Sequence, residues 1–572
     1  MDKDKLLHYN FSTEKSKDNN EILIINGKYI HSKFTPLKEA DDFIFKEKNL
    51  IVIFGIGFAY HVNNILKNNP GSYFIIYEPY QDIFDLAVKY INKELLKKNS
   101  NRVCILKDIN TDVIYNFIKK NFRPEMRIRT YSNLGYKNLF FKCEIEYLNA
   151  VKKNFETVVQ NILTESNFIP LWTKNFLLNI KHLNDKPLLN PGKNELDNNL
   201  AVIACAGPSL LDDLEIIKKN RDKITIFTVD TALKVLTEYN IVSDFIISLD
   251  AQYYSINDYI KNIPDESTLI LDAVSYSNIC RGHKNIYYTI TENIFDGSII
   301  RYFFEYNKID KFGLITGGNV SDYAAALAIS LGFKNIYFSG LDLSYVSFQT
   351  HSKFSPFYFR AMFFSDYYNS MDLVFIKTIA NRNLKSIDSK VEGKKVYTDF
   401  VLQNYAFYFN NFAEFYNEIK IYNSKFDGMK INNFINIDLQ VLLEKNKSVR
   451  LKYNDLVNEK NLLYVSKEKL NIFFNDIISS IHKRVVDLND LFSQTDFNHD
   501  NINKFNKWKT LINDVFLEFP FLKKFVLMTI IILQKKNITE EHLLYYKHIG
   551  HKTIQSIYFV IRTLQKILKQ IN

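Results

Sequence analysis

At 572 residues the chain is too long for one core, and at about 150 residues per domain it divides into three or four. Its net charge of +10 comes from 73 basic and 63 acidic residues spread through the whole sequence, the pattern of an ordinary solvated surface. No basic-aromatic cluster of a nucleic-acid module is present, and Cys104, Cys143, Cys205 and Cys280 form no CxxC pair, which argues against both a zinc site and a disulfide framework.

The N-terminus, Met1 to Lys5, leads into a polar stretch without a signal-peptide apolar region. The longest apolar run, Phe525 to Leu533, is interrupted by Thr529 and falls short of the roughly 20 residues that a spanning helix needs. A cytoplasmic protein with no membrane span is expected.

Glu21 to Ile25 followed by Asn26-Gly27 reads as a strand and turn. Leu50 to Phe54 then runs into Gly55-Ile56-Gly57, and Tyr73 to Tyr77 ends at Glu78. A strand, a G-x-G turn, a helix and a second strand closed by an acid is the layout of a dinucleotide or adenosyl site, although Tyr60 stands where the third glycine belongs. The alternative is a Rossmann-like domain that serves packing or partner contacts. Residues 140 to 183 carry helical periodicity, and Asn184 to Asn199, with Pro187, Pro191 and Gly192, reads as a linker.

The central stretch opens with an apolar strand, Leu200 to Ala206, in which Cys205 reads as a small buried residue. It runs into Gly207-Pro208-Ser209, with Ser209 as the expected N-cap of a helix whose free N–H groups would hold a phosphate. The strand Ile224 to Val229 stops at Asp230-Thr231, Phe245 to Leu249 stops at Asp250, and Ile336 to Ser339 stops at Gly340-Leu341-Asp342. Gly317-Gly318-Asn319 opens an Ala-rich helix, a second start suited to close backbone approach. In an open parallel sheet ligands bind outside the carboxyl ends of the strands, so these residues are expected on one rim. Ser344 to Ser370 reads as a long loop beside it, a lid or acceptor surface. Past residue 430 the pattern turns helical. Leu470, Phe474, Ile477, Ile481, Val485, Leu488 and Phe492 form one stripe, read as a module for packing or homo-oligomer formation.

The segments Ala206 to Leu210, Val229 to Leu233, Ser243 to Asp250, Gly317 to Ser321 and Phe338 to Leu343 together resemble the motility-associated factor (Maf) flagellin glycosyltransferases. His31 to Ala40, Phe54 to Gly57 and Tyr77 to Pro79 resemble that family's N-terminal domain. The resemblance implies an α/β protein with a Rossmann-like domain over residues 1–165 and a catalytic domain with a sialyltransferase-like sheet over 166–430; residues 431–572 lie outside it and are read from their periodicity as an α-helical domain. It implies transfer of a nonulosonic acid, pseudaminic or legionaminic, from its CMP-activated form to flagellin Ser or Thr hydroxyls.

Such a site must hold cytidine, stabilise the departing phosphate and present a hydroxyl to the anomeric carbon. Gly207, Pro208, Ser209, Asp230, Thr231, Asp250, Gly317, Gly318 and Asn319 are the expected donor-binding residues, and Asp342 a ribose or acceptor ligand. Where similar sialyltransferases carry asparagines, Asp230 and Asp250 are acids that would repel a phosphate. Either they hold Mg²⁺ or Mn²⁺, or they bind hydroxyls, or they cap the following helices. The sialyltransferases also place a histidine before a Thr-Asp pair, whereas Gly393 to Tyr397 precedes Thr398-Asp399 here. Of the eleven histidines only His283 and His351 fall within residues 200 to 430, which makes His351 the expected base. Two other readings compete: an archaeal 6-hydroxymethylpterin diphosphokinase-like pyrophosphate transfer from ATP, and a non-catalytic flagellin-binding chaperone.

Overall fold

The computed structural model describes residues 10–122, 126–192, 196–255, 263–279, 283–493, 502–526 and 543–571. Cys280 and most of the apolar run Phe525 to Leu533 lie outside the described residues. Among the described helices none is long and apolar enough to cross a membrane. The chain folds as a mixed α/β protein in two compact units, residues 1–167 with 526–552, and residues 168–525 with 553–572.

The first unit begins with an antiparallel ribbon of β1 (Phe11–Lys15), β2 (Glu21–Ile25) and β3 (Lys28–Tyr29), turned at Asn26-Gly27. Four parallel strands follow, β4 (Leu50–Phe54), β5 (Tyr73–Tyr77), β6 (Val103–Leu106) and β7 (Ile128–Ser132), in the order β6-β5-β4-β7. The five residues of β4 are all buried, as a continuous apolar run in a parallel sheet requires.

The G-x-G turn after β4 is filled by the protein itself. The Tyr136 ring packs onto Gly55, and the buried Glu78 carboxylate accepts the Ile56 N–H at 2.8 Å and the Tyr136 hydroxyl at 2.8 Å. His31 Nε2 accepts the Phe58 N–H at 2.8 Å. A carboxylate thus occupies the position where a dinucleotide would place its pyrophosphate. This favours the packing reading of the turn over a nucleotide site.

A long helix, α1 (Phe141–Ile180), leads into the second unit, where Asn175 Nδ2 donates to the carbonyls of Ala251 and Val274. The second unit is built on β8 (Leu188–Leu189), β9 (Leu196–Ala204), β10 (Ile224–Val229), β11 (Phe245–Ser248), β12 (Thr268–Asp272), β13 (Ile286–Thr289), β14 (Phe333–Ser339), β17 (Lys420–Ser424), β18 (Ile435–Ile437) and β19 (Leu462–Leu463). Their order is β18-β17-β14-β9-β10-β11-β12-β13-β8-β19, parallel throughout except for β19 against β8. A separate antiparallel hairpin, β15 (Lys385–Asp388) and β16 (Lys395–Thr398), precedes β17. Helices α2 (Leu210–Lys219), α3 (Asp230–Glu238) and α4 (Val320–Ser330) cover the sheet.

Three sequence expectations change. The stretch read as a linker contains β8, which pairs with β13 and β19 because Leu188 and Leu189 are apolar enough to be buried. The stretch read as a long loop contains a helix, α5 (Pro356–Phe363), started by Pro356 at its first turn and capped by the Ser355 hydroxyl. Past residue 430 the chain still feeds the same sheet through β18 and β19 before the helix α6 (Lys467–Ser493) begins. In α6 the expected stripe from Leu470 to Leu488 is buried; the Phe492 side chain lies outside the described residues.

Candidate functional site

Strand order reverses beside β9. The chain proceeds from β9 through β10 to β13 on one side, then returns to place β14 and β17 on the other. The crevice of such a sheet opens at this switch point, outside the carboxyl ends of β9 and β14. There the loop at Gly207 and the loop at Gly340 close on each other: the Gly207 N–H donates to the Gly340 carbonyl at 3.0 Å. A Cβ at Gly207 would overlap the Gly340 carbonyl and the Asp342 carboxylate, and Gly340 has φ +78°. Both positions therefore require glycine.

Asp342 is buried, with Oδ2 accepting the Ser209 N–H at 3.0 Å and Oδ1 accepting the Ser209 hydroxyl. Ser209 stands at the N-cap position of α2 as expected, without acting as a side-chain cap. Its hydroxyl is turned to Asp342 and makes no cap bond, because φ −67° and ψ −8° already place the residue in helical conformation. The helix start at Gly207-Pro208-Ser209 has a carboxylate where a phosphate was expected. Cys205, at the end of β9, is buried, and burial pushes its thiol up to about 12, in keeping with an apolar role.

The second helix start stands at the same crevice, since Ser321 on α4 contacts Cys205. Asn319 caps α4 by accepting the Asp322 N–H at 2.9 Å, and Asp322 Oδ2 accepts the Gly317 N–H at 2.6 Å. The N–H groups of Val320 and Ser321 stand in the first turn of α4, where no intrahelical carbonyl can take them. Burial pushes Asp322 up to about 8, so it holds the Gly317-Gly318-Asn319 loop largely as a neutral acid at pH 7.

His351 is also at the crevice. The Ser352 N–H donates to the Ala206 carbonyl at 2.7 Å, tying the residue after His351 to the residue before Gly207. The imidazole stacks on Phe357, with ring centroids 3.9 Å apart. Burial, with the Arg382 charge, lowers it to about 4, and its buried Nδ1 has no hydrogen-bond partner. At neutral pH it is an uncharged imidazole with one ring nitrogen, Nδ1, left unpaired. The Thr398-Asp399 pair folds against the same loop, with the Tyr345 hydroxyl donating to Asp399 Oδ2 at 2.7 Å and Thr398 Oγ1 to the Leu343 carbonyl at 3.0 Å.

Three comparisons bear on this geometry. The family described as 6-hydroxymethylpterin diphosphokinase MptE-like matches residues 174–347. A Treponema pallidum (strain Nichols) protein described only as uncharacterized is 30% identical over 130 residues, which cover 23% of this chain and 60% of that relative's length. The Maf glycosyltransferase of Magnetospirillum magneticum AMB-1 superposes with a TM-score of 0.62, covering 98% of this chain and 93% of the other at 14% identity. The fold is Maf-like. The match takes in both units, whereas the diphosphokinase-like region stops at 347, short of β15, β16 and β17.

The remaining expected residues stand farther along the rim. Asp230 is buried at the first turn of α3, where Oδ1 accepts the Thr231 N–H at 2.8 Å and Oδ2 the Ser248 hydroxyl at 2.8 Å. Asp250 is exposed and accepts the Gln252 N–H at 2.8 Å. Among the described residues Asp230 and Asp250 belong to no group of three side chains with metal-ligand spacing. Among the described residues the one group of three with metal-ligand spacing is His31, Glu39 and His61 in the first unit. There His31 Nε2 accepts the Phe58 N–H, so Nδ1 carries the proton that it donates to Glu39 at 2.9 Å and is not a free ligand.

Sequence reading missed two charged groups at the crevice. Asp213 is buried, accepts the Ser339 hydroxyl at 2.7 Å and the Tyr337 hydroxyl at 3.0 Å, and is raised by burial to about 6. Lys390 arrives from the tip of the β15-β16 hairpin. Asp213 had a signal, an acid on the apolar face of α2 one turn after Ser209. Lys390 had none, because nothing local marks a hairpin-tip lysine as pointing inward.

Proposed function

We propose that this protein is a glycosyltransferase that moves a nonulosonic acid, pseudaminic or legionaminic, from its CMP-activated form to Ser or Thr hydroxyls of flagellin in the cytoplasm. The observation that carries the reading is the fold likeness to a Maf glycosyltransferase along 98% of the chain, with a crevice at the switch point of the sheet. In this reading the region 166–430 is catalytic. The donor phosphate lies at the N-terminus of α4, beside Gly317, Gly318 and Asn319, and Gly207, Pro208 and Ser209 form the opposite wall. Thr231 and Asp250, farther along the rim, face the cytidine or the acceptor.

The chemistry needs little from the protein beyond placement and charge. The acceptor oxygen attacks the anomeric carbon, the bond from that carbon to the phosphate oxygen breaks, and CMP leaves with the electron pair. The hydroxyl proton passes to the neutral His351 imidazole. Helix N–H groups favour the charge that grows on the phosphate.

The match to the diphosphokinase-like family supports a second reading, pyrophosphate transfer from ATP. Calorimetric titration of the whole protein with CMP and with ATP separates the two. CMP binding alone supports the glycosyltransferase, ATP binding alone the diphosphokinase, and binding of neither leaves the flagellin chaperone.

A further inference from the structure

A phosphate brought to this crevice meets Asp342, and a buried carboxylate next to a phosphate repels it, the more so because little water screens the two charges. Asp213 stands nearby as a second acid. Something has to offset that charge, and among the described residues the Asp230–Asp250 pair belongs to no group of three with metal-ligand spacing.

Lys390 is placed to do so. The β15-β16 hairpin lays its tip over the ends of β14 and β17: the Lys390 N–H donates to the Gly428 carbonyl at 2.9 Å, and the Met429 N–H to the Asp342 carbonyl at 2.7 Å. A side chain at Gly428 would start 3.1 Å from the Asp342 Cα and 3.2 Å from the Lys390 Cε, so the lysine stem and Asp342 close on the same point. Lys390 Nζ donates to the Ser424 hydroxyl at 3.3 Å, at the end of β17. The charges that act on it are those of Asp342, Asp213 and Asp427. Burial lowers its pKa, and these acids oppose that shift.

Resting on the glycosyltransferase reading, we propose that Lys390 is the fixed cation that admits the donor phosphate beside Asp342, in place of a divalent metal. An ammonium that donates to one hydroxyl keeps spare N–H donors, since it has three. The same group that balances Asp342 in the free protein then turns part of its field to the phosphate, and after bond cleavage to the leaving CMP. It binds and positions; it takes no proton.

The test compares CMP with cytidine, which lacks the phosphate, by calorimetric titration into the full chain, with EDTA and with Mn²⁺. Wild type is expected to bind CMP equally in both. Lys390→Met should weaken CMP at least tenfold and leave cytidine unchanged, and Lys390→Arg should restore most of the affinity. Because Lys390→Met leaves Asp342 unbalanced, the double variant Lys390→Met with Asp342→Asn serves as the folding control. It should unfold cooperatively and still fail to distinguish CMP from cytidine. CMP affinity in Lys390→Met equal to wild type, or CMP binding abolished by EDTA, overturns the assignment of Lys390 and leaves the glycosyltransferase reading standing. Wild type that binds neither CMP nor cytidine overturns both.

Discussion

Asp342 joins both sides of the crevice by accepting two hydrogen bonds from Ser209. Asp342→Ala should abolish transfer and cost about 1–3 kcal/mol, because the Ser209 N–H is left buried without a partner. A transfer assay with thermal unfolding checks this, and full activity would remove Asp342 from the site. His351 has its folded pKa near 4, so its imidazole is neutral above that value. Turnover should hold from pH 8 to 5 and fall as pH drops through about 4, while His351→Ala lowers kcat with CMP affinity unchanged. An unchanged rate in that variant sends the search for the base elsewhere. Both residues were legible as strand-end and loop residues. The burial that sets their ionisation was not, since it comes from Phe357 and from strands far along the chain.

The elements that shape the crevice are tight turns, and they tolerate little. Gly207→Ala drives a methyl into the Gly340 carbonyl and Asp342, with an expected loss of about 1–3 kcal/mol in denaturant unfolding. A melting midpoint equal to wild type would mean that the two loops can separate. In the first unit the clasp of His31, Glu39 and His61 locks the G-x-G turn. Burial raises the Glu39 pKa, but the two imidazoles outweigh it and bring it from 4.5 to about 2. A depressed carboxylate stabilises the fold above its unfolded pKa, so this contribution is present above pH 4.5 and is lost as pH falls from there toward 2. Glu39→Gln should flatten that acid limb in thermal unfolding between pH 6 and 3. The turn itself was readable from Gly55-Ile56-Gly57. That Tyr136 and Glu78 fill it depends on residues 79 and 21 positions later.

At the scale of the whole second unit, the chain past residue 430 completes the sheet. Beyond adding β18 and β19, it returns along the amino ends of the strands: the Leu200 N–H donates to the Ser448 hydroxyl at 2.8 Å, and Arg450 and Arg221 flank the buried Asp244 at 2.7 and 2.6 Å. Truncation after residue 430 should therefore leave an exposed β17 edge and an Asp244 that has lost one of its two arginines, and give aggregated protein. A soluble, cooperatively unfolding 1–430 fragment would contradict that.

The sequence by itself determined the local order: apolar runs became parallel strands, Gly-rich ends became turns, and the acids Asp230, Asp250 and Asp342 fell at strand ends as their positions in the runs dictate. These outcomes depend on residues within a few positions of each other. Only the tertiary structure decided which strand ends meet. Strand order put β14 beside β9 and so joined Asp342 to Ser209, 133 positions apart, and left Asp250 exposed farther along. It also brought Lys390 to Asp342 by laying a hairpin across two strands. The physical reason is that sheet order and hairpin docking are set by burial summed over whole faces, which no local pattern encodes.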